Sequence, residues 1–153
     1  MPMKVFMRSL FIAFALLFAT ATPSFAAEPA VYTSWNNNLA IGGYDTVSFF
    51  SGKPVEGKSE FTYTYKGAQW QFSTQGNLEL FKTNPTAFAP QYGGYCAWAV
   101  AQGKLAKGSP KHWKVEDGKL YVNFNGRIQR RWEKDIPGFI ATANTQWPSI
   151  LED

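Results

Sequence analysis

The chain has 153 residues, with 15 Lys and Arg against 11 Asp and Glu and a net charge of +4 at pH 7. This length suits one folded domain with one core. No basic block stands out beyond Arg127, Arg130 and Arg131. The electrostatic footprint of a nucleic-acid-binding protein is therefore missing, and nucleic acid is excluded as a partner.

Residues 1–26 have the pattern of a cleavable secretory signal peptide. Lys4 and Arg8 precede an apolar run of about twelve residues, where a membrane-spanning helix needs roughly twenty. Ser24 and Ala26 are small residues that suit a signal peptidase, which predicts cleavage after Ala26. We expect an exported chain, periplasmic by default, without a transmembrane anchor after cleavage. An uncleaved anchor is the alternative.

Export would restrict the sulfur chemistry of the mature chain. The sequence contains one Cys and three Met, and every Met precedes the predicted cleavage site. Cys96 would then be the only sulfur left, so no intrachain disulfide can form. Because an exposed thiol outside the cytoplasm is open to oxidation, we expect Cys96 to be either buried or bound.

The mature part of the chain alternates short strand and helix patterns. Residues 27–39 are polar, without a helical or strand period, and are interpreted as a lead-in segment; the folded domain is expected at residues 40–150. In chain order the sequence predicts a strand at 46–50, a hairpin at 61–65 and 68–72, helices at about 75–83, 85–89 and 95–101, a hairpin at 112–115 and 119–124, and helices at 128–134 and 137–147. No internal repeat is expected.

The turns decide the fold class. Lys66-Gly67 and Asp117-Gly118 each separate two strand patterns, and such dipeptides are typical of tight hairpin turns. Ser73-Thr74 offers an N-cap for the helix that follows. The sequence therefore predicts a small single α+β domain, in which short antiparallel hairpins pack against short helices.

Several ordered segments carry a family resemblance. They are Gly43 to Phe50, Tyr65 to Ser73, Leu80 to Pro85, Ala89 to Ala97, Trp113, Asp117 to Tyr121, and Trp147-Pro148. Together they resemble the YHS-domain family, and more closely the exported stand-alone YHS-domain proteins of bacteria.

The resemblance implies a link with metal handling but not its ligands. The family pattern resembles Asp-Pro-Val-Cys near the start and Tyr-Phe-Cys-x-x-x-Cys after the hairpin. The first corresponds here to Asp45-Thr46-Val47-Ser48 and the second to Gln71-Phe72-Ser73, with no cysteine following. Because a soft-metal site needs several convergent sulfur or nitrogen ligands, the family's metal role does not transfer to these positions.

Cys96 and His112 are the first candidate site residues. Cys96 follows the Gly93-Gly94 turn at the start of a predicted helix, where the helix N-terminus favours a thiolate. It could bind a metal, act in redox or acyl transfer, or simply be a buried small residue. His112, the single histidine, could complete a copper or zinc site or serve as a base, or could be solvated.

Asp45 is a third candidate metal ligand, although it could instead hydrogen-bond its own backbone in a turn. Tyr44, Tyr95 and Trp98 are candidate ligand-binding residues, because aromatic side chains around a glycine turn often form pocket walls. Their alternative is a place in the core or at its rim.

These residues support three functional hypotheses. The first is a non-enzymatic exported binding module that holds a transition metal, with copper first, or a small ligand near the turn from Gly93 to Cys96. The second is a thiol-dependent enzyme, in which Cys96 is the nucleophile and His112 the base. The third is a structural or interaction domain. The sequence identifies no partner protein and no oligomeric state.

Overall fold

The computed structural model describes residues 26–153. The predicted signal peptide lies outside the described residues, apart from Ala26. The regular elements are β1 Lys58–Tyr65, β2 Ala68–Phe72, α1 Gln75–Thr83, α2 Pro85–Phe88, α3 Ala97–Ala101, β3 Ser109–Glu116, β4 Lys119–Asn123, α4 Gly126–Trp132 and α5 Ile136–Gln146. Short 3-10 helices occupy Ile41–Gly43, Thr46–Ser51, Gln91–Gly94, Glu133–Asp135 and Ser149–Glu152.

The predicted α+β fold class is confirmed. β1 pairs with β2 and β3 with β4, each as an antiparallel two-stranded sheet. Both connections are tight, with positive φ at Lys66-Gly67 and at Asp117-Gly118, the backbone geometry that a two-residue hairpin turn requires. No helix between residues 26 and 153 is long and apolar enough to span a lipid bilayer.

The apolar interior forms two neighbouring clusters. The first gathers around Trp70, Phe72 and Phe81, and the second around Tyr121 and Trp132. Strand β4 joins them, because successive side chains point to opposite faces of a strand. Its Leu120 and Val122 enter the first cluster, while its Tyr121 enters the second.

The lead-in segment packs against the rest of the chain. The Tyr32 N–H donates to the Gly93 carbonyl at 2.9 Å, and Val31 is buried. A Cβ atom added at Gly93 would overlap the Ala30 carbonyl oxygen. Glycine at this position therefore allows the lead-in segment to lie directly on the turn before Cys96.

One predicted strand is wrong. Residues 46–50 read as β-forming, yet Thr46–Ser51 is a 3-10 helix. The Asp45 side chain accepts hydrogen bonds from the Val47 and Ser48 N–H groups at 3.0 and 3.3 Å. These bonds cap the segment and bend it away from an extended path, so a side-chain cap overrides the strand preference of the residues.

The structure also contradicts the expectation that the chain has no repeat. The two hairpins have the same register. Each paired residue of the second hairpin lies 51 positions after the corresponding residue of the first, as residue 109 does after residue 58. Lys58 faces Phe72 and Ser109 faces Asn123, and each sheet has an irregularity after that pair.

The similarity continues on both sides of the hairpins. Gly42, Gly43 and Gly52 have positive φ, and so do the residues 51 positions later, Gly93, Gly94 and Gly103. Thr74 caps α1 and its counterpart Asn125 caps α4. The ring pairs Trp70–Phe81 and Tyr121–Trp132 also correspond, with centroids 4.9 and 5.4 Å apart.

We call residues 41–83 the first repeat and residues 92–134 the second repeat. Few side chains are identical between the two repeats. What the repeats share is backbone geometry. Gly-Gly-Tyr at 42–44 and again at 93–95 is the clearest sequence trace. Positions with positive φ retain glycine since other residues are strained there, whereas core positions accept different apolar side chains.

Candidate functional site

Asp45 follows the Gly42-Gly43-Tyr44 turn of the first repeat and is fully buried. One carboxylate oxygen accepts from the Val47 and Ser48 N–H groups. The other accepts from Ser73 N at 2.9 Å, Ser73 Oγ at 2.6 Å and Asn77 Nδ2 at 2.7 Å. Asp45 therefore ties its own 3-10 helix to the end of β2 and to the first turn of α1.

The Asp45 oxygens are saturated by these bonds. A carboxylate offers about four lone-pair sites, and five donors from the protein surround them. The local backbone bonds are those of the Asx-turn alternative, while the bonds to Ser73 and Asn77 are long-range. Both oxygens face protein donors, so the arrangement fits a structural role better than a metal ligand.

Cys96 occupies the place of Asp45 in the second repeat. The Asp45 N–H donates to the Val55 carbonyl and the Cys96 N–H to the Ala106 carbonyl, each at 2.9 Å. Burial raises the pKa of the Cys96 thiol, while hydrogen bonding from the backbone of Ala99, Phe124 and Trp98 opposes that rise.

These three N–H groups correspond to those that hold the Asp45 carboxylate. Trp98, Ala99 and Phe124 follow Val47, Ser48 and Ser73 by 51 positions, and the latter three donate to Asp45. We call the three N–H groups around Cys96 the sulfur cradle. The second repeat therefore keeps the backbone donors of a carboxylate site but places a thiol in front of them.

Asn123 completes the surroundings of the thiol. The Cys96 Sγ–H donates to Asn123 Oδ1 at 3.5 Å, and the Trp98 N–H donates to the same oxygen at 3.1 Å. Asn123 is 1% exposed, and its Nδ2 has no hydrogen-bond partner among residues 26–153. A buried donor without an acceptor is costly, and an oxygen ligand beside it would satisfy it.

A cavity of about 230 Å³ opens beside the sulfur. Its lining residues are Cys96, Trp98, Ala99, Ala106, Phe124 and Ile128. Each of the six lies 51 positions after a residue of the Asp45 site in the first repeat. Those first-repeat residues are Asp45, Val47, Ser48, Val55, Ser73 and Asn77. Phe124 and Ile128 replace the hydroxyl and amide that hold Asp45, so a closed polar site in one repeat is an open apolar cavity in the other.

The predicted ligand-binding residues divide between the repeats. Tyr44 packs on Phe49 in the first cluster, with ring centroids 6.3 Å apart. Tyr95, its counterpart, is buried and donates its hydroxyl to the Pro29 carbonyl at 2.9 Å. Of the three predicted residues, Trp98 is the one that lines the Cys96 cavity, and Arg131 lies over its ring at 5.8 Å.

The three predicted metal ligands are not brought together. Among the described residues, no group of three or more His, Cys, Asp or Glu side chains could hold a metal ion. His112 lies on β3, where a Cβ added at Gly126 would be 3.5 Å from its imidazole Cε1. The hydrogen-bond partner of the Cys96 thiol is Asn123. This donor set does not fit a copper or zinc site.

Five residues of the site escaped the sequence reasoning: Ala99, Ala106, Asn123, Phe124 and Ile128. None belongs to a known catalytic motif, and apolar residues on a hairpin and a helix are ordinarily assigned to the core. The repeated Gly-Gly-Tyr could have located Phe124 and Ile128, but not Asn123. Applying its separation of 51 to the residues around Asp45 would have placed Phe124 and Ile128 beside Cys96.

The fold and site thus define a small α+β domain with an internal repeat and a buried cysteine beside a cavity. Residues 46–92 match the family model of the YHS domain. The resemblance to the YHS domain is therefore confirmed over these residues, which cover most of the first repeat. No curated protein and no solved structure matches the chain.

Proposed function

We propose that this protein is an exported, non-enzymatic binding module whose ligand is a small, mainly apolar molecule in the cavity beside Cys96. The observation that supports this proposal is the contrast between equivalent positions of the two repeats. Around Asp45 they are closed by five hydrogen bonds. Around Cys96 they enclose a cavity.

The size and lining of the cavity limit the ligand. Apolar cavities of about 150 Å³ bind benzene, so about 230 Å³ accommodates a single ring with one or two substituents. The indole of Trp98 and the side chains of Phe124 and Ile128 supply apolar contacts. The Cys96 thiol is the polar side-chain group that a substituent of the ligand would meet on the cavity wall.

Export is part of the proposal and rests on residues 1–26. Their charged start, short apolar run and small residues before Ala27 are typical of a secretory signal. A buried Cys96 is consistent with export, because burial protects a lone thiol from forming intermolecular disulfides outside the cytoplasm.

Two alternatives have weaker support. Copper binding has the family association in its favour, but Cys96 is without a second thiol or imidazole ligand in the site as described. A thiol enzyme needs a reactive thiolate, whereas burial raises the pKa of the Cys96 thiol. For these reasons binding of a small molecule is the leading function.

The test uses residues 27–153 labelled with ¹⁵N and titrated with benzene and then indole. We expect amide shifts at Trp98, Ala99 and Phe124 to change first and to saturate. Ala106→Met is designed to fill the cavity from its partly exposed wall and to abolish these changes. The matched control is Val55→Met, at the equivalent, exposed position of the first repeat, which should leave binding unaltered. Shifts scattered over the surface, or equal binding by Ala106→Met, would refute the cavity as the site.

A parallel experiment tests the copper alternative. The same chain and its Cys96→Ser variant are incubated with Cu(I) under reducing conditions, dialysed and assayed for metal. We expect neither to retain a stoichiometric ion. Stoichiometric copper that is lost in Cys96→Ser would replace the small-molecule proposal with a metal-binding one.

A further inference from the structure

We propose that Cys96 is a site of peroxide modification, and that its sulfinate is held by the sulfur cradle as the Asp45 carboxylate is held in the first repeat. A sulfinate carries two oxygens on sulfur, as a carboxylate carries two on carbon, and both are anions at neutral pH. The first repeat supplies the comparison. There the equivalent N–H groups, of Val47, Ser48 and Ser73, hold two oxygens of one acidic group.

The reduced thiol leaves the donors around it poorly satisfied. Sulfur is a weak acceptor, yet it stands where the first repeat presents two carboxylate oxygens to the equivalent N–H groups. Of the three groups in the cradle, the Trp98 N–H donates to Asn123 Oδ1 instead. Asn123 Nδ2 is a fourth donor, buried and without an acceptor, on the amide whose Oδ1 lies 3.5 Å from Sγ.

Two sulfinate oxygens would supply about four acceptor sites for the N–H groups of Ala99 and Phe124, while the Trp98 N–H already donates to Asn123 Oδ1. Backbone N–H groups that bind an anion form stronger hydrogen bonds than those that bind a neutral acceptor. The buried Asn123 Nδ2 belongs to the amide that contacts Sγ, and it is a second observation, separate from the comparison with Asp45, that favours an added acceptor at this place.

The cavity gives the oxidant access to the sulfur. A water molecule has a share of about 30 Å³ in the liquid, so about 230 Å³ admits hydrogen peroxide. Cys96 itself is part of the cavity wall, although only 1% of the residue is exposed to bulk solvent.

The chemistry consumes two molecules of peroxide. The thiolate attacks one peroxide oxygen; the S–O bond forms, the O–O bond breaks, and hydroxide leaves and takes up a proton. The resulting sulfenate attacks a second peroxide in the same way and becomes the sulfinate. Each step removes two electrons from sulfur and reduces one peroxide to water. Because burial raises the pKa of the thiol, the first step is slow at neutral pH and accelerates as pH rises.

The experiment treats residues 27–153 with hydrogen peroxide and follows the peptide that contains Cys96 by mass spectrometry. We expect a product heavier by about 32 Da, two oxygen atoms, to accumulate and persist. The urea-unfolded chain, which lacks the cradle, should go on to a product heavier by about 48 Da. The oxidised folded protein should have a Tm roughly 3 °C or more above that of the reduced protein.

A matched pair of variants tests the cradle without peroxide. Cys96→Asp supplies two carboxylate oxygens to the N–H groups, whereas Cys96→Asn has nearly the same shape but replaces one of these oxygens with an NH₂ group and carries no charge. Cys96→Asp should have the higher Tm at pH 7. A sulfinate that fails to accumulate in the folded chain, a lower Tm on oxidation, or Cys96→Asn at or above Cys96→Asp would each overturn the proposal.

The outcome is separate from that of the ligand titration. Sulfinate formation needs the cradle and peroxide but no ligand, so the protein can be modified without binding benzene or indole. Conversely, ligand binding with no accumulated sulfinate would leave the proposed function standing and remove this inference alone.

Discussion

The two repeats place different side chains in front of the same backbone donors. In the first, Asp45 closes the site with five hydrogen bonds. In the second, Cys96 meets the equivalent N–H groups beside a cavity and an amide nitrogen without a partner. A duplicated unit can therefore keep one copy as a stabilising polar site while the other acquires space for a ligand.

The largest expected effect comes from Asp45→Asn, which keeps the shape of the side chain and replaces one oxygen with a donor. Because the amide nitrogen would face buried N–H or O–H groups, we expect a loss of about 2–4 kcal/mol in the free energy of unfolding. Urea denaturation measures it. The control is Glu60→Gln, which also removes one negative charge but at an exposed position, and it should cost at most about 0.5 kcal/mol. Equal effects of both variants would contradict the role given to Asp45.

A smaller effect is expected from Asn123→Ala in the second repeat. The change removes the acceptor of the Trp98 N–H and of the thiol, but it also removes the unpartnered Nδ2. We expect a net loss of about 1–3 kcal/mol, less than for Asp45→Asn. The exposed Asn36→Ala is the control in the same denaturation experiment. A loss larger than that of Asp45→Asn would reverse the order proposed for the two sites.

The smallest expected effect is a pH dependence that belongs to Cys96. Its folded-state pKa is raised by burial, so the folded chain holds the thiol proton at pH values where the unfolded chain has lost it. The resulting stability is complete below the unfolded pKa of about 8.5 and falls as pH rises through the folded pKa, by at most about 1.36 kcal/mol per pH unit.

Comparison with Cys96→Ser isolates this contribution. Tyr92, Tyr95 and Tyr121 also have raised pKa values because of burial, but they titrate alike in both proteins. The difference in the free energy of unfolding between wild type and Cys96→Ser should therefore shrink from pH 7.5 upwards. A difference that stays constant with pH would show that the thiol is not desolvated in the folded state.

Local patterns were sufficient for most of the secondary structure. The helix predicted at about 75–83 is Gln75–Thr83, and both hairpins have the predicted turns. Segment 46–50 was misjudged because its conformation depends on one carboxylate, which also contacts residues about thirty positions away. Of the site residues, Cys96 was singled out from its glycine turn, whereas Asn123 carries no local mark.

What the sequence determined by itself was the fold class, the hairpin turns and the YHS resemblance, because periodicity, capping and turn chemistry are properties of neighbouring residues. Tertiary structure alone decided that Asp45 is saturated by protein donors and that Cys96 lies in a cradle of the same form. Both depend on contacts between residues far apart in the chain, such as Asp45 with Ser73 and Cys96 with Asn123. Such contacts arise only when the hairpins and helices pack together.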